Sequence, residues 1–247
     1  MKKHKVVSHA EWTRARKALL AKEKAFTRRR DALSRTRREL PWERVEKSYT
    51  FDGPNGKETL ADLFDGRSQL VVYHFMFDPA WDAGCKSCSF WADNFDGNVV
   101  HLAHRDVTLV AISRAPLERL QAFQQRMGWR FKWLSSFGTE FNYDYRVSFT
   151  PEEQASGKEL YNYERQDLSE PEMPGISVFF KDPGGSVFHT YSCYSRGLDM
   201  LNAGYHYLDL VPKGRDEAKL SFPQEWVRHH DSYKPAIVGA RLKPPSR

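Results

Sequence analysis

Apolar residues fall along this chain in three patterns, and each predicts a different kind of element. Unbroken runs, Leu70-Val71-Val72-Tyr73-His74-Phe75-Met76-Phe77 and Val107-Thr108-Leu109-Val110-Ala111-Ile112, predict strands buried on both faces. Residues 176–181 and 186–191 are shorter runs that flank Asp182-Pro183-Gly184-Gly185, which predicts an antiparallel hairpin with its turn residues in place. The second pattern is helical. Leu117, Leu120, Phe123 and Met127 share one side of a helix over 117–127, and further helices are expected over 86–104, bent at Asp96-Gly97, and over 198–210. Residues 45–51 read as extended, 60–64 as a short helical stretch and 131–134 as a short strand. Residues 138–173 are polar and aromatic, with no period. Strand, helix, strand, helix, hairpin, helix is the order of an α/β fold with a mixed central sheet flanked by helices.

The third pattern lies at the N-terminus. Trp12, Leu19, Phe26, Leu33 and Leu40 recur every seven positions, with Ala18, Ala25 and Ala32 beside them. Ser8 and Glu11 have the spacing of a capping box, the intervening residues are strong helix formers, and Pro41 ends the run. The result is a long helix with a narrow apolar seam that lacks the second large apolar residue per heptad of a coiled coil. Such a seam docks on the main domain or pairs with a second copy, so a homodimer through this helix is an expected partner arrangement. The chain thus divides into a basic helical extension (1–43), a main domain (44–234) and a tail (235–247) expected to be mobile.

Charge sharpens that division. The net charge of +6 conceals sixteen Lys and Arg against six Asp and Glu in residues 1–47, and 22 against 26 in the remainder. Arg28-Arg29-Arg30, Arg35, Arg37 and Arg38 read first as a solvated helix face. Phosphate contact is one alternative, and contact with an acidic protein or with the acidic remainder of the chain is another; the aromatic interleaving of a single-strand binder is absent, and nucleic acid is not an expected partner. No apolar run reaches membrane-spanning length, the basic start lacks the apolar core of a signal peptide, and three cysteines do not make a secreted disulfide scaffold. A cytoplasmic protein is expected.

The chemistry concentrates after the first buried strand. Asp78-Pro79-Ala80-Trp81-Asp82-Ala83-Gly84 is a turn-rich segment leading to Cys85-Lys86-Ser87-Cys88 at the start of a helix. In an open α/β sheet, active groups sit where a strand's carboxyl end meets the next loop and helix. Backbone amides at a helix start favour thiolate over thiol, which makes Cys85 a candidate nucleophile and Cys88, one turn further in, a candidate resolving thiol. Lys86 adds a positive charge that favours the thiolate. Asp78 and Asp82 are placed to cap the helix or move protons. Trp81, Phe90 and Trp91 are candidates for an apolar wall, with Phe90 and Trp91 read first as core. His74 reads first as a hydrogen-bonded core histidine and otherwise as a proton-transfer group. Cys193 reads as a small core residue. Cys85, Cys88, His101 and His104 come within one residue of a zinc-finger spacing, but a helix rising about 1.5 Å per residue puts Cys88 and His101 roughly 20 Å apart. No metal or cofactor is expected.

The order of elements, with Cys-x-x-Cys after the first long strand, resembles the thioredoxin fold. The entry from Gly56 through Leu60, Leu63 and Gly66 resembles its peroxiredoxin-type branch. Residues 71–77, 84–97, 113–117, 127–131 and 141–144 closely resemble a large bacterial family of uncharacterised thioredoxin-like proteins, over a span from the N-terminal helix to about Tyr233. The resemblance implies a thioredoxin-like fold with a cis-proline facing the cysteines, the position that Pro174 matches. It implies a thiol–disulfide oxidoreductase acting on a protein or small-molecule disulfide with a thiol reductant as its electron donor. Thioredoxin carries Trp next to its first cysteine, whereas Trp81 stands four residues ahead of Cys85. The peroxiredoxin pattern Pro-x-x-x-Thr-x-x-Cys is not met either, since Pro79 is six residues before Cys85 and no Thr lies between. A thiol peroxidase and a non-catalytic adaptor that grips a partner through the basic helix remain as alternatives. If the seam docks, deleting residues 1–40 lowers solubility or changes the mass measured by light scattering; an unchanged mass and solubility would exclude docking through it.

Overall fold

The run Leu70 to Phe77, buried except for the partly buried Val71 and Met76, organises the main domain, because its alternate side chains seed a core on each face of one sheet. The computed structural model describes residues 4–234 and falls into two units, one ending at Glu43 and one beginning at Arg44. The expected tail, 235–247, lies outside the described residues.

The first unit is α1 (His9–Arg38), a 30-residue helix. Ser8 accepts from the Glu11 amide and the Glu11 carboxylate accepts from the Ser8 amide, which completes the capping box. Trp12, Leu19, Phe26, Leu33 and Leu40 are exposed.

The second unit contains, in chain order, β1 (Glu43–Arg44, at the junction of the units), β2 (Thr50–Gly53), β3 (Gly56–Thr59), β4 (Gln69–His74), α2 (Lys86–Ala92), α3 (Asp96–Ala103), β5 (Val107–Ser113), α4 (Leu117–Met127), β6 (Lys132–Ser135), α5 (Phe141–Asp144), α6 (Pro151–Ser156), β7 (Glu159–Tyr161), β8 (Glu164–Gln166), β9 (Gly175–Lys181), β10 (Val187–Tyr194) and α7 (Ala203–Leu210). Eight strands form one sheet in the order β1-β10-β9-β4-β5-β6-β2-β3. β4 runs parallel to β5 and β5 to β6, while β9 is antiparallel to both β4 and β10. The segment β10-β9-β4-β5, with α2 and α3 joining β4 to β5 and α7 following β10, is the thioredoxin-like arrangement. β7 and β8 pair separately.

Leu70 and Val72 face one core with Leu63, Phe64, Val110, Ile112, Leu134, Phe141 and Phe179. Tyr73, Phe75 and Phe77 face the other with Cys88, Trp91, Phe123, Trp133 and Tyr205. The alternation is the period-two geometry of a strand. Gly175 is needed where β9 passes beneath its neighbours, since a Cβ there would sit 2.8 Å from Tyr194 Cδ1 and 2.9 Å from Val147 Cγ1.

Several expected boundaries move. β4 ends at His74, and Phe75 to Phe77 continue as irregular chain whose amide and carbonyl groups still bond the neighbouring segment, Phe75 N–H to Ile112 and Phe77 C=O from Ala115. The helix expected over 86–104 is two helices. They break at Asp93 to Phe95, and the Asp96 carboxylate accepts from the Arg130 and Phe131 amides. The helix expected over 198–210 becomes a 3-10 turn (Ser195–Leu201) followed by α7, whose start Asn202 caps by accepting from the Tyr205 amide. The period-free stretch 138–173 holds α5, α6, β7 and β8, elements too short for a period to show. Among the described residues no helix is long and apolar enough to cross a membrane. Truncating Leu134, which is fully buried, to Ala should lower stability by about 2–5 kcal/mol, read as a lower urea midpoint at unchanged slope.

Candidate active site

β4 delivers the chain to the cysteines. Gly84 crosses directly over Phe75 and Phe123, where a Cβ would lie 2.8 and 3.0 Å from their ring carbons. Only glycine lets the backbone approach that closely. The Cys85 amide then donates to the Met76 carbonyl at 3.0 Å, and the Met76 amide donates to Cys88 Sγ at 3.5 Å. One peptide position at the strand exit thereby holds both cysteines.

Cys85 is the N-cap residue of α2 and is half-buried, whereas Cys88 is 1% exposed. All three cysteines are free thiols. The Cys88 thiol donates to the Cys85 sulfur. That bond, with the Cys88 and Ser87 amides and the Ser87 hydroxyl, outweighs burial and holds the Cys85 thiol at about 7, down from its usual 9.0. The Cys88 thiol is pushed up well above its usual value by burial and by the Cys85 charge, while Tyr73 and the Met76 amide act the other way. The two sulfurs therefore differ in acidity because one meets polar donors and the other meets hydrocarbon.

A cavity of about 190 Å³ opens beside Cys88. Its walls include Tyr73, Trp91, Tyr161, Pro174, Leu198 and Gln224. The Tyr161 hydroxyl pins two of those walls, donating to Pro174 C=O at 2.7 Å and accepting from the Ser195 amide at 2.9 Å.

The remaining expected site residues are dispersed. Pro174 faces the cavity, but no peptide bond among the described residues is cis, so the expected cis-proline is corrected to trans. His74 is on the opposite face from the cysteines. It lies against Phe141 and Tyr145, with Nε2 at 2.9 Å from Ser177 Oγ, and burial lowers it to about 3. Strand alternation, which turns Tyr73 toward Cys88, turns His74 away. Neither Asp78 nor Asp82 caps α2: Asp82 is exposed, and Asp78 accepts from the Ala80 amide within its own turn. Trp81 packs on the core, and its carbonyl accepts from Arg119. The Lys86 ammonium sits 5.9 Å from the Phe222 ring centroid. Trp91 is in the core with Nε1 donating to Leu198 C=O, and Phe90 packs on Tyr205 and Trp226. Cys193 is buried in the same core. Among the described residues no three His, Cys, Asp or Glu side chains are grouped to hold a metal.

The family model described as "Bacterial protein of unknown function (DUF899)" matches residues 1–233. The chain belongs to this family. No curated protein matches its sequence. Among solved structures, peroxidoxin BcpB from Mycobacterium tuberculosis is similar over 66% of this chain and 94% of its own, at 16% identity and a TM-score of 0.45. A peroxiredoxin Q from Xanthomonas campestris is similar over 68% and 98%, at 14% identity and a TM-score of 0.45. The mitochondrial 2-Cys peroxiredoxin from Plasmodium falciparum is similar over 66% and 91%, at 13% identity and a TM-score of 0.38.

Two features of the site have no signal in the sequence. One is Tyr161, from the period-free stretch. The other is a buried charge cluster behind Pro174. Arg114 donates to Glu172 at 2.7 Å and reaches Asp78 at 3.5 Å, Ser148 donates to Glu172 at 2.8 Å, and the guanidinium lies over Tyr143. Burial dominates at Glu172, raising its carboxyl from 4.5 to about 7 against the pull of Arg114. Between those values the folded protein holds a proton that the unfolded chain has released, so stability falls as pH rises through the window. Urea midpoints from pH 4.5 to 7 should fall by the equivalent of about 3 kcal/mol more in the wild type than in Glu172→Gln; parallel curves would refute this.

Proposed function

We propose that this protein is a thiol–disulfide oxidoreductase in which Cys85 attacks and Cys88 resolves. The observation that carries the reading is the sulfur pair itself. A half-buried thiol ionises near neutrality at the mouth of a strand–loop–helix junction, and a second, buried thiol is hydrogen-bonded to it. A thiol whose pKa matches ambient pH combines a large thiolate fraction with good nucleophilicity.

In the first step the Cys85 thiolate attacks one sulfur of a substrate disulfide R–S–S–R′. An S–S bond forms to R, the substrate bond breaks, and R′–S⁻ leaves and takes up a proton. Cys88 then attacks Cys85 Sγ, the mixed disulfide breaks, and R–S⁻ leaves with the proton that Cys88 gave up. The dithiol has lost two electrons to the substrate and carries a Cys85–Cys88 bond, which an external thiol reductant reopens. Substrates are protein or small-molecule disulfides, and the chemistry needs no metal or cofactor.

The test is reduction of an insulin-type disulfide with a dithiol donor. Cys85→Ser should abolish turnover, and Cys88→Ser should stop at a mixed disulfide on residue 85, visible by mass spectrometry. Alkylation of Cys85 should rise with pH to a plateau with a midpoint near 7. Undiminished turnover by Cys85→Ser would refute the assignment.

A further inference from the structure

Once Cys85 is tied up in a mixed disulfide, Cys88 must ionise without its former acceptor. It must do so where little solvent reaches it: it is 1% exposed and borders a cavity lined by aromatic and aliphatic side chains together with the polar Ser87, Ser195, Arg196, Asp199 and Gln224. A thiolate there is costly unless fixed dipoles replace water. The structure supplies two such groups. One is the Met76 amide, which donates to Cys88 Sγ at 3.5 Å. The other is the Tyr73 side chain, which packs in the same core as Cys88, borders the same cavity, and is itself 1% exposed.

We propose that Tyr73 is the positioning residue of the resolving step: its phenol O–H donates to the Cys88 thiolate and sets the rate at which the mixed disulfide is released. This rests on the exchange reading above. Burial keeps the phenol protonated far beyond neutrality, so it donates to a thiolate without giving up its proton. The Cys88 proton leaves with R–S⁻ as R–SH, and Tyr73 neither gains nor loses one. Strand geometry accounts for the choice of residue. β4 pairs with β5 and β9 on its two sides, so Tyr73 is fixed by both ladders, opposite Ala111 and Ile176. The donor therefore cannot swing away when the cavity fills.

Tyr73→Phe removes one oxygen and keeps the ring in the core. An aromatic disulfide that releases a coloured thiolate at each step separates the two events in one stopped-flow trace. The variant should release the first equivalent at the wild-type rate, which reports an intact fold and an intact Cys85. It should release the second about tenfold more slowly, the value of one charge-assisted hydrogen bond, with a pH profile displaced upward. Equal second phases with the same pH profile would overturn the proposal. A second measurement does not depend on turnover: Cys88 alkylation against pH in Cys85→Ser, with and without Tyr73→Phe. The midpoint should rise by roughly one pH unit when the hydroxyl is lost. An unmoved midpoint would overturn the role of Tyr73 even if exchange occurs. A moved midpoint in a protein whose wild type never releases the second equivalent would instead overturn the exchange reading and leave the hydrogen bond standing.

Discussion

The site depends on one peptide position. Met76 follows the last strand residues of the central β4, and its carbonyl accepts from Cys85 while its amide donates to Cys88. Residues 77–84 form a loop whose two ends are thereby closed on each other. Beneath that loop lies a bed of rings: Phe75 is 4.6 Å from Trp133 and 6.0 Å from Trp129, and Phe123 is 5.7 Å from Phe77. Close-packed aromatics do not yield to small displacements. The cysteines therefore inherit the rigidity of the sheet, although neither lies in a strand.

The asymmetry between the two sulfurs follows from depth and from their mutual contact rather than from other charged side chains. α2 is only seven residues long, so the groups that act are local: the amides of Ser87 and Cys88, the Ser87 hydroxyl and the partner sulfur. Cys85 meets them at the rim. Cys88 lies one turn further in, against hydrocarbon, where the same low polarity that raises its pKa strengthens each remaining hydrogen bond. In the reduced state one proton is held between the pair, so the two ionisations belong to the pair as a unit.

The sheet also separates two polar systems. On the face away from the cysteines, His74 Nε2, Ser177 Oγ, Ser192 Oγ and His189 Nε2 form a chain of contacts at 2.9, 2.9 and 2.7 Å. Burial keeps His74 neutral, and Ser177 partners its Nε2, while its buried Nδ1 has no hydrogen-bond partner. The Arg114–Glu172 pair occupies a third position, behind the Pro174 loop, where it fixes the cavity wall through contacts that never reach a sulfur.

Local pattern by itself determined the capping box at Ser8, the buried strands at 70 and 107, the amphipathic helix 117–127 and the hairpin around Asp182, because each is specified by neighbours in the chain. It also placed two cysteines at a strand–loop–helix junction. Tertiary structure alone decided the rest of the site. Whether Tyr73 or His74 faces the sulfurs depends on the register of β4 against β9, which a run apolar at every position leaves undefined. The bond at Pro174 is trans, and the bridge through Tyr161 and the Arg114–Glu172 pair join residues 13 to 58 positions apart in sequence. Contacts across such separations leave no periodic trace, since they arise only after the sheet has brought its strand ends together.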